Sequence, residues 1–156
     1  MASRLELQTK LEELFESKNL FDYTQSELGL LEPTNGNIST NESWKYTTNL
    51  ISVKPNTTYC VSQSSNSDFY YNIVEYNSSQ SYLIGTSWED NTGSTSNSVY
   101  NTFTTSSDTR YIRLSWKISS TEIQLEEGLV PTEFMEFGSE KYRIYVEIYD
   151  SRWDNI

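Results

Sequence analysis

Several aromatic residues of this chain stand close to carboxylate and amide residues. Trp88 opens a polar segment, residues 88–98, that is rich in Asn, Asp, Ser and Thr. A saccharide offers flat C–H faces to aromatic rings and hydroxyls to polar groups, so a binder needs both kinds of side chain together. We therefore expect a carbohydrate-binding site. Its candidate residues are Trp88, Tyr82, Asp90, Asn91, Tyr76 and Trp44.

Ordinary packing in a protein core is the alternative interpretation for each of these aromatic residues. Trp116 is in phase with Ile112 and Leu114, so we assign it to the core. Tyr70 and Tyr71 are neighbours on a predicted strand and point to opposite faces, so only one of them can lie in the core. Exposure of the rings decides between binding and packing.

Most catalytic chemistries are excluded by composition. The chain has no His and one Cys, so it cannot form a disulfide, a Ser-His-Asp triad or a four-ligand zinc site of the usual type. Glu126 and Glu127 are adjacent on a predicted strand and face opposite ways, unlike the facing carboxylates of a glycosidase. We expect no enzyme activity, with a cell-wall hydrolase as the least favoured alternative.

Metal binding is also not expected. Asp68, Asp90 and Asp108 lie in predicted loops and have oxygen ligands suited to calcium, but their spacing is not that of an EF-hand. We interpret them as solvated acids and predict no metal and no cofactor. Cys60 lies between Tyr59 and Val61 in a predicted strand, where an inert, interior thiol is expected.

The net charge and the length of the chain argue against some classes of partner and against a second domain. Twenty-two acidic and eleven basic residues give a net charge of -11, which repels nucleic acid and anionic membranes. No apolar run approaches the roughly 20 residues that span a bilayer. We expect neither nucleic acid nor a membrane as a partner, and 156 residues suit one domain with short appendages.

From about residue 19 the hydrophobic period is close to two. Aromatic and β-branched residues alternate with polar ones in short runs joined by polar turns, which is typical of strands. Residues 68–77 and 81–85 flank a polar turn at residues 77–80 and predict a hairpin. The fold class predicted is all-β, a jelly-roll-like antiparallel β-sandwich over residues 19–138.

The two chain ends differ from this pattern. Residues 4–17 have Leu7, Leu11, Leu14 and Phe15 at helical spacing, which predicts an N-terminal α-helix within residues 1–18. Residues 140–149 alternate strictly and predict an extra C-terminal strand within residues 139–156. Neither segment can form a core alone. We expect both to contact either the sandwich or a neighbouring subunit, and the second case makes the chain a homo-oligomer or a bound component.

The sequence resembles a known family at five places in one order. The segments are NLFD (19–22), ISVKPNTTYCVS (51–62), IVEYNSSQSYLIG (73–85), FTTSSDTRYIRLS (103–115) and QLEEGLVPTEFMEFG (124–138). Together they resemble the carbohydrate-binding-module-like β-sandwiches of tail, baseplate and neck proteins of phages that infect Gram-positive bacteria. The opening residues, MASRLELQTKLEELF, are similar to the first helix of small phage neck or tail-completion proteins.

This resemblance implies a non-catalytic jelly-roll module displayed on the virion. Its expected partners are host cell-wall polysaccharide and other virion proteins, and its expected function is adhesion that aids adsorption. The family's sugar-contacting residues vary between members, so the resemblance implies a fold more than a site. The alternative is a purely structural virion decoration, or a neck or tail scaffold protein without sugar binding.

Overall fold

The computed structural model describes residues 5–64, 69–90 and 99–150, and these residues form an all-β, antiparallel structure. None of the described residues lies in a helix. The prediction of an all-β chain is therefore confirmed. The strands are β1 (Leu5–Glu16), β2 (Ser26–Leu28), β3 (Leu30–Leu31), β4 (Ile38–Ser39), β5 (Trp44–Thr47), β6 (Ile51–Ser52), β7 (Thr58–Gln63), β8 (Phe69–Tyr76), β9 (Tyr82–Asp90), β10 (Val99–Thr104), β11 (Tyr111–Lys117), β12 (Gln124–Glu127) and β13 (Glu140–Asp150).

Two sheets make up the central part of the chain. The large sheet has the strand order β2-β5-β11-β8-β9, and β6 also pairs with β11. The small sheet has the order β10-β7-β12. The predicted hairpin is confirmed, since β8 and β9 are antiparallel neighbours joined by a turn at residues 77–81.

An apolar core lies between these two sheets. The large sheet contributes Ile112, Leu114 and Trp116 from β11, and the small sheet contributes Val61 and Leu125. Trp116 is 1% exposed, as its phase on β11 predicts. Because one core is lined by both sheets, the arrangement is consistent with a β-sandwich.

The chain divides into two compact units. Residues 18–137 form one unit, which contains both sheets, and the ends of the chain form the other. In the second unit β1 pairs with β13 along their whole length, from Leu5 opposite Asp150 to Glu16 opposite Glu140. The strand predicted over residues 140–149 is therefore confirmed.

The helix predicted over residues 4–17 is wrong for the described part of that segment. Residues 5–16 form β1 and exchange backbone hydrogen bonds with β13, with a register shift between Leu7 and Thr9. An isolated helix of four turns is marginal in water, and helix propensity is a weak preference that long-range pairing overrides. β13 has an alternating sequence whose backbone requires a partner strand, and β1 supplies it.

Burial of the single thiol makes the stability of this fold depend on pH. Cys60 is fully buried, and burial with the nearby Glu126 carboxylate raises the pKa of the thiol from 9.0 to about 11. The thiol is protonated in both states well below pH 9. As pH rises towards 11 the unfolded thiol ionises while the folded one stays protonated, so the free energy of unfolding falls.

We expect this loss to be visible between pH 8 and pH 10. Tyrosines of the unfolded chain begin to ionise towards pH 10 in the wild type and in a Cys60→Ala variant alike, so their contribution cancels when the two proteins are compared. Urea unfolding of the wild type should show a decrease about 1 kcal/mol larger than that of a Cys60→Ala variant over this interval. The variant provides the control because it lacks the ionising group. Equal decreases in the two proteins would contradict the assignment.

Candidate functional site

One face of the large sheet points away from the core. Ile112, Leu114 and Trp116 of β11 pack into the core, so the intervening residues of β11 point to the opposite face. We call this the outer face. Cross-strand pairing places Trp44 and Tyr46 of β5 on the same face, because they lie opposite Lys117 and Ser115.

Residues 30–39 cover one end of the outer face. They contain the two short paired strands β3 and β4, and we call them the covering hairpin. The backbone N–H of Leu31 donates to Ser115 Oγ (3.2 Å), and Asn72 Nδ2 donates to the carbonyl of Leu31 (3.0 Å). The sheet thus holds this segment through buried side chains.

A second set of contacts attaches the covering hairpin to β9. The Tyr82 hydroxyl donates to the carbonyl of Pro33 (2.8 Å). The backbone of Pro33 approaches Gly85 so closely that a Cβ atom there would overlap it. Gly85 is therefore needed for the hairpin to rest on the sheet.

The covering hairpin encloses a small apolar cluster on the sheet. Leu31 packs there with Tyr46, Val74 and Tyr76, all of which are buried. The Tyr46 hydroxyl donates to Glu27 Oε2 (3.0 Å), and burial together with this carboxylate raises the pKa of Tyr46. Burial also raises the pKa of Tyr76, against the effect of a neighbouring arginine. This end of the face is closed to a ligand the size of a sugar.

The other end of the outer face carries a row of four side chains from four adjacent strands. Trp44 of β5 lies opposite Lys117 of β11, and Tyr70 of β8 lies opposite Glu89 of β9. The ammonium nitrogen of Lys117 is 3.7 Å from the centre of the Tyr70 ring, which joins the two halves of the row. We call Trp44, Lys117, Tyr70 and Glu89 the aromatic row.

The aromatic row has the elements that carbohydrate binding requires. Trp44 and Tyr70 are both half-buried, and Glu89 is exposed. The two aromatic residues are two strands apart, roughly 10 Å at the spacing of about 4.8 Å between strands. A cation lies between the two rings and a carboxylate at the end, so hydrogen-bond donors and acceptors flank two apolar surfaces.

The residues predicted from sequence are divided between the two faces. Trp44, Tyr76 and Tyr82 lie on the outer face, where Tyr76 is buried and Tyr82 is 37% exposed. Trp88 instead packs against the core, with its ring centre 5.3 Å from that of Tyr71. Asp90 ends β9 opposite Phe69. Asn91 lies outside the described residues.

Trp88 faces inwards because of its position on β9. It lies opposite Tyr71, which is 3% exposed, and residues opposite each other in an antiparallel pair share a face. The sequence suggested a polar loop around Trp88, but the strand β9 continues to Asp90. Packing, the alternative interpretation, therefore describes this tryptophan.

Three members of the aromatic row, Lys117, Tyr70 and Glu89, were not proposed from sequence. A signal for Tyr70 was present, because only one of Tyr70 and Tyr71 can lie in the core. Tyr71 is the buried one, which leaves Tyr70 on the outer face. Lys117 gave no such signal, since its contact with Tyr70 depends on the order of strands in the sheet.

The adjacent carboxylates Glu126 and Glu127 lie in different environments. Glu126 is 1% exposed and accepts hydrogen bonds from the N–H and hydroxyl of Thr132 (3.1 and 2.9 Å). Glu127 is exposed and pairs with Lys54 at 2.8 Å. Among the residues that the structure describes, no group of three or more His, Cys, Asp or Glu residues could hold a metal ion.

Comparisons with other proteins add no assignment. No family model, curated protein or solved structure matches this chain. Within the described ranges, no helix has the length and apolar character needed to cross a membrane.

The close approach at Gly85 gives a test of how the outer face is built. We expect Gly85→Ala to lower the free energy of unfolding by about 1–3 kcal/mol, because the added methyl group overlaps the backbone of Pro33. Urea unfolding measures this change. Ser87→Ala is the control, because Ser87 is an exposed residue of the same strand. A Gly85→Ala variant as stable as this control would mean that the hairpin does not pack there.

Proposed function

We propose that this chain is a non-catalytic component of a phage virion whose central unit is a jelly-roll-type module that binds host cell-surface saccharide. The observation that supports this proposal best is the aromatic row on the outer face. Two half-buried rings lie in line there, with a lysine between them. The five-part sequence resemblance supplies the virion context.

The proposed mechanism is adhesion. The ring of Trp44, and the part of the Tyr70 ring that the Lys117 ammonium does not cover, contact the C–H faces of two neighbouring sugar units, which removes apolar surface from water. Lys117 donates hydrogen bonds to sugar hydroxyls and Glu89 accepts them. The covering hairpin closes the opposite end of the face, so the saccharide chain runs across the strands at the open end.

A single site of this kind binds weakly, because it is shallow and buries only one side of the sugar. Display of many copies on one particle compensates for the weak binding, since each attached copy raises the effective concentration of the next. The partners under this proposal are cell-wall polysaccharide, other virion proteins and further copies of this chain.

A purely structural virion component is the second candidate function. Its support comes from the unit formed by β1 and β13. A two-stranded ribbon is marginally stable in water, and its long edges can add a strand from another chain. In this alternative the ribbon holds the chain to neighbouring virion proteins, and the outer face has no ligand.

Binding to purified cell walls separates the two functions. We expect the full chain to sediment with walls from at least one Gram-positive species, and Trp44→Ala and Tyr70→Ala each to weaken binding about tenfold, or ~1.4 kcal/mol. Tyr100→Ala is the matched control, because Tyr100 is an exposed aromatic residue (44%) on the small sheet.

Circular dichroism melting establishes that each variant is folded before binding is compared. No sedimentation of the intact chain with any wall of the panel would favour the structural function. Equal binding by the wild type, Trp44→Ala and Tyr70→Ala would show that the aromatic row is not the site.

A further inference from the structure

A second concave surface lies on the central unit, away from the outer face. It is a groove of about 420 Å³ between residues 19–24, 118–123 and 134–137. Tyr23 lines it and contacts Lys45, which is the inward-facing neighbour of Trp44 on β5. The groove and the aromatic row are therefore on opposite sides of β5, and the argument for the groove does not depend on sugar binding.

The third wall of the groove is held by hydrogen bonds to two buried side chains. Met135 N–H donates to Gln124 Oε1 (3.0 Å), and Asn19 Nδ2 donates to the carbonyl of Met135 (3.1 Å). Gln124 and Asn19 are both buried. Because these bonds fix the backbone before residue 136, the wall is part of the folded structure.

Much of the lining of the groove is apolar and open to solvent. Tyr23 is 55% exposed, Ile118 50% and Phe137 53%. Phe134 also lines the groove and is half-buried. Exposed rings gathered in a concavity favour a ligand with an apolar body.

The charged groups that line the groove are all acidic. Asp22, Glu122 and Glu136 are carboxylates, and the lining contains no Lys or Arg. Asp22 Oδ1 accepts hydrogen bonds from the N–H and hydroxyl of Thr24 (3.0 and 2.6 Å), and Glu122 accepts one from Ser64. A carboxylate has about four acceptor positions, so both retain capacity for another donor. The net charge of -11 adds to the attraction of a cation.

Ser120 provides an independent observation. It lines the groove and is 4% exposed, and its hydroxyl has no hydrogen-bond partner among the residues that the structure describes. A buried hydroxyl without a partner costs free energy. A ligand N–H in the groove supplies a donor for the lone pairs of this oxygen.

We propose that this groove binds a primary alkylammonium group, with the alkyl part against the rings and the ammonium among the carboxylates and Ser120. A primary amine fits better than a quaternary one because only the primary amine has N–H groups to donate. Such a group can come from the lysine side chain of a peptide or from a free amine.

Titration of the full-length protein with n-butylammonium tests the proposal, followed by backbone amide NMR. We expect millimolar binding with shifts concentrated at residues 118–123 and 134–137. Butan-1-ol and N,N,N-trimethylbutylammonium should bind at least about tenfold more weakly, since the first lacks charge and the second lacks N–H donors. Shifts from the amide of Nα-acetyl-lysine, and none from its norleucine analogue, would identify a peptide side chain as the source.

Charge-matched variants locate the site. The double variant Glu122→Gln/Glu136→Gln should weaken n-butylammonium binding about tenfold, while Glu42→Gln/Asp108→Asn should not, because Glu42 and Asp108 are exposed and outside the lining. If the first variant is unfolded, salt provides the test in the wild type. Sodium chloride must then weaken binding of the ammonium probe and leave that of butan-1-ol unchanged.

Three results would overturn the proposal. The first is binding of butan-1-ol as tight as that of n-butylammonium. The second is a set of shifts that falls outside the groove. The third is the absence of any saturable shift with n-butylammonium or with the lysine amide.

Discussion

The apolar core between the two sheets is the interaction on which the central unit depends. Trp116 is a fully buried member of this core, with its ring centre 4.8 Å from that of Phe21 in an edge-on contact. Burial of one aromatic side chain of this kind is worth several kcal/mol, comparable to a large part of the net stability of a small domain. The strands on both sides are fixed in register by this core, because a shift of one residue would turn every apolar side chain outwards.

The same alternation creates the outer face. Once Leu114 and Trp116 are placed in the core, Lys117 must point away from it, and the strand pairing brings it between Trp44 and Tyr70. Only part of this face stays open, because the covering hairpin buries Val74 and Tyr76 beneath Leu31. The aromatic row is thus what remains of a larger aromatic surface after the hairpin has covered the rest.

The central unit offers two surfaces of different chemistry. The aromatic row combines rings with one cation and one carboxylate, which suits hydroxyl-rich ligands. The groove combines rings with carboxylates alone, which suits an amine. Under the two proposals, the module holds a saccharide on one side of β5 and a cationic group on the other.

Sequence patterns predicted the regular part of the fold. Alternation in residues 111–117 and 140–149 identified two strands, and the polar turn after Tyr76 identified the β8 and β9 hairpin, because strand period and turn chemistry are local properties. The helix prediction for the N-terminal segment was wrong because the structure of that segment is not decided locally. Its leucine spacing is helical, yet pairing with β13, more than 120 positions away in sequence, decides its structure.

The chain by itself determined the chemical character of the protein: acidic, rich in tyrosine, without histidine, and made of short alternating runs. The sequence alone also required Tyr70 and Tyr71 to lie on opposite faces of their strand. Only the tertiary structure decided which of the two is buried, that Trp88 turns inwards, and that Trp44, Lys117 and Tyr70 share one row. The face of the sheet on which a ring lies depends on which strands pair and in which register. Strand pairing joins residues that are distant along the chain, so the local sequence pattern does not specify it.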